Sequence, residues 1–572
     1  MSNKGSTDEV NNNHQFPNDF ILAKFLEVSR RFPGPMIHDE YGFDKSYAHL
    51  LGDAFRTRDD LIKALPPSNI NEHGLLHDDH QYICVLARSG YEFLVAFFAI
   101  RALGGACIPF GSGILPEEAQ YFLSDANSCC LLVGHGLSDR AHRIGLHVKN
   151  TTSLQLTTLP ISHNAEPLDG SCIEIANSLR LDPSSPGLVL FTSGSTGPPK
   201  GAVLPKRCFT FDYTAKRGDA TISYRPSHWV GGAESLIEAA VTGTKLYVLK
   251  ERSGPDAVWE IFKNHTITHV LCTPTLLRTM KEFFAESICL LSPLERAKYI
   301  QGFQKMSKIS CCSAMIAPSV LQFWKDLTGL PFENVYGSTE MGGAVTRAST
   351  NSLVQFSIGI PCSGVEVKLS EGDQGEILAR SSWMLTHYIG NEQATKVAFD
   401  DDGFFKTGDL AQDVNGEYVF TGRATSDYIF YHGFRIATLP VENHLTDLPY
   451  VTEACVLGVP DHEAKQLCGA IIRCSKDTSS QVSLHRVRSD LSKYLPTYML
   501  PALLRVLKDT EEIPRTISQK PIKKLILRDF FGVTDYWSIE NPTPGVETCG
   551  NLPPQREATT RPWDWCGLQR AD

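Results

Sequence analysis

The sequence predicts an α/β protein, with a large N-terminal domain of helix-covered, mostly parallel sheets and a small α+β C-terminal domain. Three observations carry this. The chain has 572 residues, too many for one compact core at roughly 150 residues per domain. From about residue 20 to 420, apolar strand-like runs alternate with helical patterns, as in parallel sheets covered by helices. At Tyr418 the texture changes to short strands and turns.

The elements follow in order. Residues 1–20 are polar and are expected to be disordered. Strands are expected at "YICVLA" (82–87), "CCLLVG" (129–134), "GLVLFT" (187–192), "KLYVL" (245–249) and "THVLCT" (268–273). Between them fall helices such as "YEFLVAFFAIRAL" (91–103), and the large domain is expected to span 21–422. The small domain, 423–530, contains "EACVLGVPD", "CGAIIRC", a helix around 484–494 and "LLRVLKDTEEIP". Residues 531–572 show no periodicity and are expected to be an extension, packed on the surface or partly disordered.

Composition excludes several classes. Hydrophobic residues make up 42% and charged residues 21%, ordinary for a globular enzyme, and the net charge of −10 argues against a nucleic-acid binder. No membrane span is expected, because the longest apolar stretch, Phe93 to Ala106, is broken by Arg101 and glycines. The first residues lack the apolar core of a signal peptide, and the chain ends in Arg570-Ala571-Asp572, not a peroxisomal tripeptide. A cytoplasmic location is the expectation. The 16 cysteines contain no CxxC pair, so neither a zinc site nor a redox motif is indicated.

The stretch "TSGSTGPPKG" (192–201) directly follows an apolar strand. Its glycines let backbone approach an anion. Thr192, Ser193, Ser195 and Thr196 offer hydroxyls, successive N–H groups can form an anion-binding nest, and Lys200 adds a cation. This suits a polyphosphate. It is not a Walker A loop, because Pro199 precedes the lysine and Gly201 follows it.

Here the chain resembles the adenylate-forming superfamily of acyl-CoA synthetases, peptide-synthetase adenylation domains and luciferases. The resemblance covers roughly residues 40–525 and rests on motifs in the family's order: Thr192–Gly201, "VYGSTE" (335–340), "FFKTGDL" (404–410), "TGRATSDYIFYHGF" (421–434), "LPTYMLP" (495–501) and "PRTISQK" (514–520). It implies that Thr192, Ser193, Gly194, Ser195, Thr196, Gly197 and Lys200 cradle ATP phosphates. It implies that Tyr336 stacks on adenine beside Gly337, and that Thr339 contacts phosphate. Glu340, with Thr196, would hold Mg²⁺, as a carboxylate beside a triphosphate requires. Asp409 and Arg423 would bind the ribose. Lys520 would be the mobile catalytic lysine, and His432 and Gly433 would lie beside coenzyme A. The small domain would be mobile, rotating about a hinge at Thr425-Ser426 between adenylation and thioester formation.

The implied reaction activates a carboxylic acid to acyl-AMP with release of pyrophosphate, then transfers the acyl group to coenzyme A. The acyl pocket is expected from "SHWVGGAES" (227–235), Cys312–Met315 and "MGGAVT" (341–346), with His228 near the reacting carboxylate and Trp229, Gly232, Cys312, Ser313 and Met341 in the walls. No aspartate lies between Ser227 and Ala233 to pair an ammonium, so an α-amino acid is disfavoured. A fatty, aryl or polyketide-type acid fits. Cys312-Ser313-Ala314 replaces the family's usual G-G-A, and Gln519 replaces a glycine before the lysine. No carrier domain follows the lysine motif, which favours coenzyme A. A stand-alone adenylase loading a separate carrier protein, or a non-catalytic nucleotide sensor, are the alternatives. The polar N-terminus and aperiodic tail suggest a eukaryotic, fungal enzyme of secondary metabolism.

Overall fold

The computed structural model describes residues 14–77, 81–192, 199–251, 253–316, 318–348, 352, 354, 356–423, 428–431, 434–461, 464–475, 482–515, 521–533 and 544–549. Among the described residues, three larger sheets and a two-stranded pair build the large domain. In the first, Thr157–Pro160, Cys130–Val133, Tyr82–Leu86, Ala106–Phe110 and Pro186–Thr192 run parallel, and Lys200–Pro205 and His387–Tyr388 extend the edge antiparallel. In the second, Ala220–Ser223, Lys245–Val248 and Pro35–Asp39 are parallel, with Phe43–Ser46 antiparallel at the edge. The third begins with parallel Leu271–Cys272, Ile309–Cys312 and Phe332–Ser338 and continues through six antiparallel strands to Val365–Leu369.

The helix Tyr91–Ala102 is buried on every side, as an all-round apolar helix must be. Its Arg101 is 3% exposed and gives two hydrogen bonds to Asp19, at 2.7 and 2.8 Å, and a third to the Lys206 carbonyl at 2.6 Å. Phe98 stacks on Phe25 with centroids 3.9 Å apart, tying this helix to Phe20–Arg31.

Three expectations change. Residues 14–20 are ordered: Gln15–Asn18 pairs in parallel with Glu174–Arg180, Phe16 stacks on Phe55, and Asp19 caps the helix that follows. The α/β alternation ends near residue 343, not 420. From Gly343 to Arg423 the strands pair antiparallel, with one helix, Glu392–Ala398, among them, and turns at Gly372 and Gly416 with positive φ let consecutive strands fold back as hairpins. In the tail, Val546–Thr548 pairs antiparallel with Leu503–Val506, and Val546 and Cys549 pack on the small-domain core. That segment is a strand of the small sheet, whose other members are Phe434–Ala437, Tyr428–Tyr431, Lys465–Cys474 and Val451–Asp461. No helix among the described residues is long and apolar enough to cross a membrane.

Candidate active site

The strands Pro186–Thr192 and Lys200–Pro205 form a hairpin that pairs Thr192 with Lys200. Thr192 Oγ1 donates to the Lys200 carbonyl at 3.3 Å, and Tyr121 Oη donates to the Pro199 carbonyl at 3.1 Å. These contacts fix both ends of the connecting loop. Ser193, Gly194, Ser195, Thr196 and Gly197 lie outside the described residues. Gly201 is closely packed, because a Cβ there would lie 2.5 Å from Ile389 Cγ2.

Lys200 Nζ sits 5.3 Å from the Tyr388 ring centroid. Tyr388 Oη donates to Glu340 Oε1 at 3.1 Å. Burial, then the Glu340 charge, raises the Tyr388 phenol above its ordinary pKa, so it stays a donor. Sequence reading missed Tyr388: it lies in a two-residue strand, His387–Tyr388, without a periodic or motif signal.

At the carboxyl end of Phe332–Ser338, Tyr336 Oη donates to Asp409 Oδ2 at 2.7 Å. Arg423 Nε donates to Asp409 Oδ1, also at 2.7 Å. Register brings Asp409 opposite Arg423 on adjacent strands, and Asp409 is 5% exposed. Each carboxylate oxygen has a second lone pair, so a diol could still bind. Gly337 is required by a close approach, since a Cβ would meet the Gly343 carbonyl oxygen at 2.1 Å. The turn that follows is held by Gly342 N–H on the Thr339 carbonyl at 2.9 Å.

A chain of contacts therefore runs Lys200–Tyr388–Glu340 on one side of this turn and Tyr336–Asp409–Arg423 on the other. It joins the motifs at 192–201, 335–340, 404–410 and 421–423. Among the described residues no group of three or more His, Cys, Asp or Glu could hold a metal. A Mg²⁺ on a triphosphate needs only one or two carboxylates, and Glu340 fits that role.

On the acyl side, both ring nitrogens of His228 are buried without a hydrogen-bond partner. Burial pushes its pKa down to about 4. The ring sits edge-on to Trp229, with centroids 6.0 Å apart, and 3.1 Å from where a Cβ of Gly111 would be. Ser313 has φ of 77°, a left-handed backbone that costs a non-glycine residue about 1–2 kcal/mol. The replacement of glycine there is thus held under strain. Trp229, Cys312 and Ser313 keep exposed surface. Met341 and Gly232, expected in the pocket wall, are both closely packed. Met341 is 0% exposed, and a Cβ on Gly232 would lie 1.9 Å from the Pro226 carbonyl oxygen.

Lys520, His432, Gly433 and the hinge pair Thr425-Ser426 lie outside the described residues. The base of the lysine segment is described: Arg515 and Pro521 form an antiparallel bridge, and Ile522 N–H donates to the Pro514 carbonyl at 2.8 Å.

Residues 69–389 match the AMP-binding enzyme family, and residues 440–520 match the AMP-binding enzyme C-terminal domain. The chain is 30% identical over 525 residues to the acyl-CoA ligase oryP of Aspergillus oryzae, covering 90% of this chain and 93% of that one. It is 26% identical over 493 residues to a mitochondrial malonate–CoA ligase of Xenopus laevis, covering 78% and 83%. The fold matches o-succinylbenzoate coenzyme A synthetase from Bacillus subtilis, in complex with AMP, with a TM-score of 0.69 at 20% identity, covering 88% and 97%. With the matched segments, their order along the chain and the joined motifs in agreement, the protein belongs to the AMP-binding enzyme family.

Proposed function

We propose that the protein is an AMP-forming acid–thiol ligase. It activates a carboxylic acid with ATP, releases pyrophosphate, and transfers the acyl group from acyl-AMP to coenzyme A. The observation that carries this reading is the contact chain from Lys200 through Tyr388 to Glu340 and from Tyr336 through Asp409 to Arg423. Four motifs far apart in sequence converge there on donors and acceptors suited to one nucleotide. The acyl-CoA ligase of Aspergillus oryzae and the malonate–CoA ligase of Xenopus laevis support coenzyme A as the acceptor.

In this reading Tyr336, Asp409 and Arg423 position the nucleoside, and Lys200 and the 192–197 loop hold phosphates. Glu340 and Thr196 would hold Mg²⁺, whose chemistry would be to neutralise charge on the triphosphate. Lys520 bridges carboxylate and phosphate oxygens during adenylation. Neutral His228 orients the reacting carboxylate. The acid is of the fatty, aryl or polyketide type, from a pathway of secondary metabolism. Every cysteine among the described residues is free, which supports action in a reducing, cytoplasmic compartment.

The test is product analysis by mass spectrometry, with ATP, Mg²⁺, coenzyme A and a panel of acids, and hydroxylamine in a parallel tube. Acyl-CoA is expected. Hydroxamate without acyl-CoA would transfer the second step to a carrier protein. Lys520→Ala should cut pyrophosphate release strongly, on the order of a hundred-fold or more, while ATP binding persists. Unchanged turnover would remove Lys520 from its role, and ATP binding without any pyrophosphate release would favour a nucleotide sensor.

A further inference from the structure

The short strand His387–Tyr388 pairs antiparallel with the edge of Lys200–Pro205, in a register that sets Tyr388 opposite Ala202. Ile389 N–H donates to the Gly201 carbonyl at 2.8 Å, and Thr386 N–H to the Val203 carbonyl at 2.9 Å. At the other end of this segment, Leu385 N–H donates to the Glu340 carbonyl at 2.6 Å. Residues 385–389 therefore tie the backbone beside Lys200 to the backbone of Glu340. Tyr388 is 6% exposed. Its N–H donates to Thr395 Oγ1 at 2.9 Å and its carbonyl accepts the Asn391 N–H at 3.2 Å, which fixes it from the side of the helix Glu392–Ala398.

The side chain meets two opposite charges with two different parts. An aromatic ring is negative on its face, and Lys200 Nζ lies over that face, 5.3 Å from the centroid. The hydroxyl donates to Glu340 Oε1 at 3.1 Å. That bond uses one of the roughly four acceptor sites of a carboxylate, so Glu340 keeps capacity for a cation. An ammonium over a ring likewise keeps N–H donors for a phosphate. Among the described residues neither Lys200 nor Glu340 makes an ion pair.

Opposite charges that share one neighbour attract each other. A direct Lys200–Glu340 pair would take the ammonium from a phosphate and the carboxylate from a cation, and ATP would have to break it. The tyrosine satisfies each group separately.

We infer that Tyr388 is a positioning residue that holds Lys200 and Glu340 apart, so that the two charges act on the triphosphate and its cation separately instead of neutralising each other. This rests on the reading of the protein as an ATP-dependent ligase.

The test is calorimetric titration of the full chain with ATP, in Mg²⁺ and in EDTA, beside pyrophosphate release measured across Mg²⁺ concentration. Tyr388→Phe keeps the ring under Lys200 and deletes the bond to Glu340. Its ATP affinity in EDTA should stay within about twofold of wild type, while the gain in affinity on adding Mg²⁺ should fall about tenfold, the low end for a hydrogen bond to a charged group. Half-maximal pyrophosphate release should need correspondingly more Mg²⁺. Tyr388→Leu removes the spacer as well. ATP affinity in EDTA should then fall about two- to fivefold, the worth of a partly exposed ion pair that has to break. Glu340→Gln combined with Tyr388→Leu should recover that loss, and should raise affinity in EDTA by more than Glu340→Gln does alone. Where Tyr388→Leu fails to fold, Tyr388→Met, nearer to tyrosine in length, takes its place. An equal loss of affinity in Mg²⁺ and EDTA in Tyr388→Phe, or an unchanged Mg²⁺ requirement, would make Tyr388 a packing residue and overturn the inference. Unchanged affinity in EDTA in Tyr388→Leu, or the same effect of Glu340→Gln with and without it, would overturn the spacing in the same way. Each of these leaves the ligase reading intact. Absence of ATP binding and of pyrophosphate release in the wild type would overturn both.

Discussion

His228 shows how one buried side chain couples the site to pH. Its pKa falls to about 4 because burial disfavours the imidazolium, against 6.5 for the free group. At neutral pH it is an uncharged imidazole, able to orient a carboxylate but not to pair with it as an ion. The unfolded chain takes up the proton first as pH falls, so this residue contributes stability that is complete above pH 6.5 and declines toward pH 4. The decline amounts to about 2 kcal/mol by about pH 5, at 1.36 kcal/mol per pKa unit. His228→Gln, which cannot titrate, should remove that part of the slope. Urea unfolding of both proteins at about pH 5 and 7 measures it. Parallel pH dependence in the two would show that His228 is not desolvated as the geometry requires.

Among the elements, the first helix holds the least anticipated connection. Asp19 accepts the Leu22 N–H at 3.1 Å as N-cap of Phe20–Arg31 and binds Arg101 in the wholly buried helix Tyr91–Ala102. Removing one partner of a buried pair costs about 3–5 kcal/mol, because the other charge stays behind. Asp19→Ala should lower unfolding free energy by that amount, and Asp19→Asn, which can still cap, by somewhat less. A loss under about 1 kcal/mol would mean the pair is hydrated. This connection was not legible in the sequence, where residues 1–20 read as a polar tail and Arg101 as an interruption in an apolar run. The parallel strands were legible: Tyr82–Leu86, Cys130–Val133 and Pro186–Thr192 each fall within a residue of the apolar runs that mark them. "THVLCT" shrank to Leu271–Cys272, because an apolar run does not say how much of it finds a partner strand. Motifs located Tyr336, Asp409 and Arg423, whose local signals are strong. They could not reveal Tyr388, whose importance comes from Glu340 and Lys200, residues of two motifs that lie far from it along the chain.

At the scale of the whole molecule, the two domains meet beside the segment that carries Lys520. From the large domain, Arg278 Nη1 donates to the Thr452 carbonyl at 3.2 Å. The next residue, Glu453, accepts Arg473 Nε at 3.0 Å and Arg515 Nη2 at 2.8 Å. Arg515 forms the base of the 516–520 segment through its bridge to Pro521. Arg278, Glu453, Arg473 and Arg515 also line a polar cleft of about 370 Å³. Burial alone would raise the Glu453 carboxyl, but Arg515 and then Arg473 hold it below its ordinary pKa of 4.5. A carboxyl depressed in the folded state stabilises above that value, and the stabilisation is lost as pH falls through it. Glu453→Gln should therefore lower the Tm of the protein at neutral pH, by about 2 kcal/mol of free energy for weakened charged hydrogen bonds. The difference from wild type should shrink below about pH 4. With Lys520 in its proposed role in adenylation, loss of the Glu453 contact to Arg515 should also slow ATP–pyrophosphate exchange, while acyl transfer from supplied acyl-AMP to coenzyme A continues. Calorimetry across pH and separate assays of the two half-reactions decide the matter. A lowered Tm with both half-reactions unchanged would make Glu453 a structural brace alone. A selective loss of exchange would tie this ionic cluster, on the seam between the domains, to the proposed role of Lys520 in adenylation.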